Sequence, residues 1–419
     1  MPTPTDRSPP LAPPAPPAPV PNRWAIALAG AVSLAVAMGI GRFAFTPLLP
    51  MMLADGVVDL PTASWLASAN YLGYLAGALL CTFQPWIWTR LPSLPPLNGP
   101  RTVRAGLVAT VLLTLGMALP WPAAWPLLRF TAGVTSALVF VYTSGWCLTQ
   151  LARLGDTTLG GAMYTGPGAG IIVSGLCASA MVAWHWRAAS GWLLLGALAC
   201  VLVATVWRMF RSEPAVARSA AAAAPDAGLR HGGAEIGWLA LAYGLAGFGY
   251  IITATFLPVI ARAALPGSLW LDFFWPLFGA GVVAGALLAT RLRVSGDLRL
   301  ALAGCYFVQA AGIALSIWLP TLTGFALGSL LLGLPFTAIT FFAMQEVRRL
   351  RPVAPASLMG LLTALYGLGQ IVGPPLASAL LQRSGSAALG FKLSLEIAAS
   401  ALVAGALLYL WMGRAYPRR

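Results

Sequence analysis

Two arginines lie inside long apolar stretches of this sequence, where charged side chains are rare. Arg42 follows Gly39-Ile-Gly41, and Arg129 follows Trp125-Pro-Leu-Leu. A guanidinium held in hydrocarbon costs about 2.5–3.5 kcal/mol on insertion scales, and it is retained where a cavity, a partner or an anion compensates it. We predict that Arg42 binds a ligand in a central cavity, with snorkelling to the membrane interface as the alternative. Arg129 is predicted either to pair across a helical bundle or to donate to backbone carbonyls.

Uncharged donors and acceptors form a second group of candidates on the same apolar stretches. We predict that they contribute to a substrate site, although each could instead bridge two helices. They are Asn70, Tyr71, Tyr250, Thr253, Tyr366 and Gln370.

Carboxylates are scarce within the apolar stretches. Only Asp272 and Glu396 fall inside them, and Glu396 follows Lys392 by one turn, which favours a local ion pair. Asp272 is a candidate for coupling or gating, and the alternative is an acid stabilised by a helix N-terminus. The two histidines and five cysteines form neither a metal cluster nor a nucleophile and base pair, so we expect no catalytic site, metal or cofactor.

The composition identifies the solvent around these residues. Of the 419 residues 59% are apolar and only 9% are charged, and the mean hydropathy is +0.81. A water-exposed surface needs roughly 25–35% charged residues, so a soluble globular protein is excluded. The net charge of +14 comes from arginines scattered singly between apolar runs, which does not fit nucleic-acid binding. The sequence therefore predicts an all-α membrane protein surrounded by lipid.

Twelve apolar runs follow residue 22, each long enough at 1.5 Å per residue to cross a hydrocarbon core of about 30 Å. We therefore predict twelve transmembrane helices. Their approximate extents are 24–52, 62–83, 104–120, 122–149, 158–183, 188–209, 236–260, 269–290, 299–319, 322–345, 357–381 and 390–413.

The basic residues orient these helices. If the N-terminus is cytosolic, nineteen of the 25 basic residues fall in cytosolic segments, while Arg187, Arg262 and Arg383 face outward. Positively charged loops are retained on the cytosolic side, so this asymmetry predicts a multi-pass protein of the plasma (inner) membrane with both termini in the cytosol.

Segments outside the spans divide the chain. Residues 1–22 hold ten of the 34 prolines and are predicted to form a disordered cytosolic tail. Residues 211–234 are rich in alanine and are predicted to link an N-terminal six-helix half, 23–210, to a C-terminal half, 235–413. Residues 414–419 are predicted to form a second cytosolic tail.

The two predicted halves share short sequences at one offset. Three matches occur in order, 207 or 208 residues apart: Ala76-Gly-Ala-Leu-Leu80 with Ala284-Gly-Ala-Leu-Leu288, Gly39-x-Gly41 with Gly247-x-Gly249, and Gly166-Pro167 with Gly373-Pro374. Three matches in order indicate a duplication. A parallel duplication of six-helix halves is a known architecture of secondary transporters, with the substrate site near the bilayer midplane where the halves meet.

Two motifs on the predicted helices resemble those of the major facilitator superfamily, and the resemblance covers nearly all of residues 24–413. Arg129-Phe-Thr-Ala-Gly133 in the fourth span is similar to the Arg-x-x-x-Gly element of that helix. Gly166-Pro-Gly-Ala-Gly170 in the fifth span is similar to the Gly-Pro-rich element of proton-linked exporters.

A longer stretch, Gly39-Ile-Gly-Arg-Phe-Ala-Phe-Thr-Pro-Leu-Leu-Pro50, is similar to the little-characterised YbfB/YjiJ branch of the superfamily. Tyr243-Gly-Leu-Ala-Gly-Phe-Gly-Tyr250 and Phe274-Trp-Pro-Leu-Phe278 belong to the same resemblance. The loop from Gln84 to Arg104 departs from the family, because it lacks the Gly-x-x-x-Asp-Arg-x-Gly-Arg signature that many relatives carry there.

The resemblance implies a fold of two pseudo-symmetric six-helix halves that rock around a midplane site. It further implies that Arg129 gates or couples transport, and that Gly166, Pro167 and Gly170 form a hinge, for which a packing bend is the alternative.

The expected activity is proton-linked export of a small organic molecule, and the protein is not expected to be an enzyme. Uptake or facilitated movement of an organic anion is the alternative, and a non-transporting membrane receptor or scaffold is a distant one. Because no carboxylate balances Arg42 and Arg129 away from the ends of the first, fourth, seventh and tenth spans, we expect an anionic or neutral polar substrate.

Overall fold

The structure of the protein is a computed structural model that describes residues 22–91, 99–155, 158–210, 233–268, 270–291, 297–351 and 355–417. These residues form twelve helical rods joined by turns. In chain order the rods are α1 (Arg23–Ala54), α2 (Leu60–Arg90), α3 (Gly99–Gly116), α4 (Trp125–Arg153), α5 (Gly166–Ala183), α6 (Ala188–Val206), α7 (Gly233–Ala264), α8 (Phe274–Arg291), α9 (Leu298–Trp318), α10 (Leu322–Leu350), α11 (Pro355–Arg383) and α12 (Ala387–Ala415).

Among the described residues, eleven of these rods are long and apolar enough to cross a membrane. The remaining rod, α3, is less apolar because its first two turns contain Arg101 and Arg104, yet it packs in the same bundle against α4 and α6. The predicted all-α membrane fold is therefore confirmed. The predicted tail 1–22 and linker 211–234 lie outside the described residues, apart from Asn22 and the first two residues of α7.

The duplication is visible in the packing of glycines. A Cβ added to Gly73 of α2 would lie 1.9 Å from the Phe130 carbonyl oxygen of α4. A Cβ added to Gly281 of α8, 208 residues later, would lie 2.5 Å from the Leu330 carbonyl oxygen of α10. Because only a residue without Cβ permits such an approach, α2 packs on α4 in the N-terminal half as α8 packs on α10 in the C-terminal half.

In each half, an arginine of the third helix caps the C-terminus of the last helix. Arg104 of α3 donates through Nε and Nη2 to the Trp207 carbonyl oxygen at the end of α6, over 3.1 and 2.7 Å. Arg299 of α9 donates to the carbonyl oxygens of Met412 and Tyr416 at the end of α12, over 3.1 and 2.8 Å. Cations near a helix C-terminus satisfy its last carbonyls and its dipole, so both halves use the same cap.

The helix ends define two faces of the bundle. The linker face carries the start of α1, the end of α6, the start of α7 and the end of α12. The opposite face carries the turns at 55–59, 184–187, 265–268 and 384–386. Exposed tryptophans surround this opposite face, as in the aromatic belt of a membrane interface: Trp121, Trp184, Trp270 and Trp318.

The middle of α1 departs from α-helical geometry. The Gly41 N–H donates to the Val36 carbonyl over 2.8 Å and the Phe43 N–H to the Met38 carbonyl over 3.0 Å, which is the pattern of a π-bulge. Pro47 has no N–H to donate to the Phe43 carbonyl, so the helical ladder is interrupted again one turn later. The π-helix Ala35–Ile40 and the turns at 41–44 therefore form an irregular segment in the centre of α1.

Candidate functional site

Arg42 lies on this irregular segment and is only 4% exposed. Its Nη2 donates to Oε1 of Gln370 on α11 over 2.8 Å. The guanidinium thus lies between the two halves. Snorkelling would instead place it at a helix end, near the membrane interface. Nε2 of Gln370 in turn donates to the Tyr250 hydroxyl of α7, so three of the predicted site residues meet at one amide.

The pairing of Arg42 with Tyr250 through Gln370 follows the internal symmetry. Arg42 and Tyr250 are 208 residues apart and occupy equivalent positions of α1 and α7. One turn further along, Thr46 donates through Oγ1 to the carbonyl oxygen of Ala254, which is its own equivalent, over 2.8 Å. The two halves therefore meet along α1 and α7, with Arg42 and Tyr250 at the centre.

Three aromatic rings surround the guanidinium of Arg42. Its Cζ lies 4.0 Å from the ring centroid of Tyr74, 5.2 Å from that of Phe43 and 5.4 Å from that of Tyr71. A desolvated cation–π contact is worth about 2 kcal/mol, so these rings offset part of the cost of burying the charge. Tyr74 was not among the predicted residues. Its spacing of three residues from Tyr71 on one helix face was the signal that could have found it.

Further rings extend from Tyr250 and form what we call the aromatic cluster: Phe43, Tyr243, Tyr250, Phe336 and Tyr366. The Tyr250 and Tyr366 rings stack with centroids 5.8 Å apart and planes at 26°, and Tyr243 lies 4.8 Å from Tyr366. The Phe336 ring lies 5.1 Å from that of Tyr250 and 6.1 Å from that of Phe43. Tyr250 and Tyr366 were predicted from the sequence as site residues, whereas the other three were not.

Arg129 supports the irregular segment from behind. Its Nη1 and Nη2 donate to the carbonyl oxygens of Gly41 and Arg42, over 3.4 and 3.2 Å. Asn70 of α2 donates through Nδ2 to the Arg129 carbonyl oxygen over 2.8 Å. Arg129 thus makes the backbone contacts of the predicted structural alternative, and Asn70 lies with it between α2 and α4, away from Gln370.

The other predicted polar residues are buried near the same contact between halves. The hydroxyls of Tyr71 and Thr255 share a hydrogen bond of 2.8 Å that joins α2 to α7. Thr253 is 4% exposed, and its Oγ1 has no hydrogen-bond partner in the structure.

Positive charge is not balanced at the centre. Among the described residues, no carboxylate pairs with Arg42 or Arg129. The predicted coupling residue Asp272 lies toward the opposite face, where its carboxylate pairs with Arg262. The predicted pair of Lys392 and Glu396 is present on the surface of α12, at 3.9 Å. Further carboxylates pair toward the linker face, in Arg299–Glu235 and Arg299–Asp297.

The Gly-Pro-rich element begins α5 at the point where a preceding 3₁₀ helix, Thr158–Thr165, ends. A Cβ on Gly166 would lie 2.1 Å from the Ala31 carbonyl oxygen, and one on Gly170 would lie 2.7 Å from the Gly39 Cα. Pro167 occupies the first turn of α5, where its missing N–H costs nothing. The close helix approach is present in the structure, and the hinge remains a prediction.

The described residues form a helical membrane bundle of two duplicated halves, and the comparison with known families identifies its class as a membrane transporter. The family model described as the uncharacterised MFS-type transporter YbfB matches residues 34–410. The chain therefore belongs to this family of the major facilitator superfamily. No curated protein matches the chain.

Solved structures of the same fold include the nucleoside transporter NupG. An aspartate-to-alanine mutant of NupG matches with a TM-score of 0.72 and 16% sequence identity, covering 92% of this chain and 99% of that one. A second NupG structure matches with a TM-score of 0.67 and 14% identity, covering 95% of this chain and 99% of that one. At this identity the likeness shows the shared fold alone.

Proposed function

We propose that this protein is a secondary transporter that moves a small organic anion by alternating access, and that Arg42 binds the anionic group. The main support for this proposal is that the hydrogen-bond partner of Arg42 is uncharged. A buried guanidinium between the halves meets the neutral amide of Gln370, and no described carboxylate pairs with it. An anionic substrate supplies the charge partner that the described protein residues do not.

One edge of the Arg42 guanidinium is bonded only at Nη2, and this edge suits a carboxylate in particular. Nη2 is bonded to Gln370, whereas Nε is buried and has no hydrogen-bond partner in the structure. Nε and Nη2 lie along one edge of the guanidinium, and such an edge binds a carboxylate through two parallel hydrogen bonds. A carboxylate that displaces the Gln370 oxygen satisfies both nitrogens at once.

A neutral polar molecule is the second candidate substrate. Gln370 and Tyr250 offer uncharged donors and acceptors beside Arg42. Thr253 follows Tyr250 by three residues on α7, and its unpartnered Oγ1 favours a substrate hydroxyl or carbonyl.

Proton-linked export is the mode we propose, with uptake as the alternative. The Gly-Pro-rich element of α5 supports export, because it resembles the element typical of the superfamily's proton-linked exporters. Transport assays in proteoliposomes, with a proton gradient imposed in either direction, distinguish the two modes. Export coupled to protons requires that an inward-directed proton gradient accelerates substrate exit.

The proposal is tested with Arg42 variants of the full-length protein. Arg42→Lys keeps the charge but loses the planar fork, so it is expected to retain weak binding of small carboxylates, whereas Arg42→Gln abolishes binding. Binding is measured as the ligand-dependent shift in melting temperature of the purified protein. Arg187→Gln, which removes an exposed arginine from the opposite face, is the matched control and binds as the wild type does.

The outcome that contradicts the proposal concerns substrate charge. If the wild-type protein moves organic cations, and Arg42→Gln moves them equally well, then Arg42 is a structural residue and the substrate is not an anion. If a neutral molecule is moved independently of Arg42, the second candidate stands instead.

A further inference from the structure

We infer that the anion is an aromatic acid, whose carboxylate lies on Arg42 and whose planar ring lies against Tyr250, Tyr366 and Phe336. This inference rests on the proposed function, and it adds the chemical class of the part of the substrate that Arg42 does not bind.

The first support is the division of residue types between the equivalent positions. In the N-terminal half, position 42 is an arginine, and a second arginine, Arg129, holds the backbone beside it. In the C-terminal half, the equivalent position is Tyr250, and the helices around it contribute Tyr366 and Phe336. Both sides of the site carry aromatic rings, but the positive charge comes from the N-terminal side alone, while the C-terminal side offers Tyr250, Tyr366 and Phe336 without a charge. This arrangement matches a molecule with an acid group at one end and a ring at the other.

The second support comes from the rings that join the halves. Phe43 of α1 contacts Phe336 of α10 with centroids 6.1 Å apart and Trp275 of α8 with centroids 6.2 Å apart. In the proposed alternating access the two halves separate on the side that opens, so we expect these contacts between α1 and α8 or α10 to be broken in at least one state. The ring of a bound substrate restores offset-stacked or edge-to-face contacts with the faces that opening exposes.

The third support is an unpartnered donor beside those rings. Nε1 of Trp275 is buried and has no hydrogen-bond partner in the structure, although buried indole N–H groups are usually bonded. An oxygen substituent on the substrate ring is a suitable acceptor for it. Hydroxylated aromatic acids are therefore included in the proposed class.

A matched pair of ligands separates an aromatic ring from a merely apolar one. Benzoate and cyclohexanecarboxylate carry the same charge on rings of similar size, but only benzoate is planar and aromatic. We expect benzoate to bind the purified full-length protein roughly tenfold more tightly than cyclohexanecarboxylate, by isothermal titration calorimetry. Acetate, which lacks a ring, is expected to bind more weakly than either.

Variants of the ring residues assign the preference to the aromatic cluster. Tyr366→Leu and Phe336→Leu are expected to reduce the preference for benzoate to twofold or less, while Tyr366→Phe, which keeps the ring, retains it. Phe391→Leu replaces a buried phenylalanine of α12 outside the cluster and serves as the control, with an unchanged preference. Melting temperatures verify that each variant is folded, and Tyr366→Phe keeps the test valid if either leucine variant is not.

The failures of the two proposals are distinguishable. If both ring carboxylates bind equally and both depend on Arg42, the aromatic inference is overturned while anion transport stands. If benzoate is preferred and Tyr366→Leu leaves the preference intact, the assignment to this cluster is overturned. If neither ring carboxylate binds, the aromatic inference is overturned, and the Arg42 variants with other small carboxylates decide the proposed function separately.

Discussion

The amide of Gln370 differs from the carboxylate of a glutamate by one terminal atom, a nitrogen in place of an oxygen. Gln370 holds Arg42 without charge, so Gln370→Glu places an anion of nearly identical shape beside the guanidinium. We expect the new carboxylate to pair with Arg42 and to compete with substrate, so that binding of small carboxylates falls by at least about tenfold. The melting temperature of the unliganded protein is expected to remain equal or to rise, which distinguishes competition from misfolding.

The control for this prediction is Gln370→Leu, which removes the amide but adds no charge. Binding of carboxylates should survive in this variant, because the edge of Arg42 is then free. Wild-type affinity in Gln370→Glu would show that the anion binds elsewhere.

The two interpretations of Arg129 make different predictions. In the structure Arg129 donates to two backbone carbonyls of the irregular segment, and an unsatisfied buried acceptor costs about 1–3 kcal/mol. We therefore expect Arg129→Met to lower the free energy of unfolding by at least about 2 kcal/mol, measured by denaturant titration in detergent. A variant of wild-type stability with an altered pH dependence of transport would favour the proton-gating interpretation instead.

The sequence could identify the residues that are unusual for their surroundings, but not the ordinary ones that complete the site. Arg42 was recognisable because charge is costly in lipid, and Gln370 and Tyr250 because they are polar on apolar spans. Phe336 could not be recognised, because a phenylalanine in a membrane helix is equally stable facing lipid or facing the interior of the bundle. Its role depends on α10, which is interrupted at Leu334 and Pro335 and turns this ring toward Tyr250.

At the scale of helices, the approach of α5 to α1 depends on two glycines that face each other, Gly39 and Gly170. A Cβ added to Gly170 would lie 2.5 Å from the Ala35 carbonyl oxygen and 2.7 Å from the Gly39 Cα. Both of these atoms belong to the backbone, so they cannot rotate away as the end of a side chain could. Gly170→Leu is therefore expected to separate α5 from α1 and to slow transport at least about tenfold, while membrane insertion persists.

Gly145 of α4 offers the matched control for this prediction. A Cβ added there meets nothing within 4 Å among the described atoms, so Gly145→Leu should transport at the wild-type rate. Both variants are compared by initial transport rate per inserted molecule in proteoliposomes. Unchanged transport in Gly170→Leu would remove the hinge interpretation.

The positions of the helices were predictable to within a few residues, because apolar runs of this length have few alternatives in lipid. The largest difference is at the start of α5, which begins at Gly166 and not at 158 because Thr158–Thr165 forms a 3₁₀ helix. Two other differences are at charged ends: α3 begins at Gly99 and not near residue 104, and α2 continues to Arg90 beyond the predicted end at 83. Hydropathy places a boundary where charge begins, whereas a helix continues as long as its backbone bonds are made. The bulge in α1 was not predicted in form, because it depends on which helices approach Gly39 and Gly41.

At the scale of the whole molecule, the distribution of arginine predicts the orientation in the membrane. Nineteen of the 25 basic residues fall in the segments that the sequence predicts to be cytosolic, so the linker face should be cytosolic. In a cysteine-free background, a membrane-impermeant thiol reagent should label Val57→Cys in intact cells and should not label Ala220→Cys, a position outside the described residues. The same reagent should label both positions after permeabilisation. The reverse pattern in intact cells would invert the proposed orientation.

The two copies of the duplicated six-helix unit are identical at some equivalent positions and different at others. The glycines that pack α2 on α4 and α8 on α10 are among the identical ones. At Gly73 and Gly281 the copies are identical, whereas at Arg42 and Tyr250 they are not. Helix packing makes the same demand on both copies, because a side chain at either glycine would clash with the backbone of the facing helix. A substrate has two different ends, and a perfectly symmetric pair of copies could recognise only one of them. Copies that began alike therefore had to become different at the residues that bind the two ends of the substrate. Positions that differ between the copies and lie close together between the halves are where further residues that determine substrate specificity should be sought.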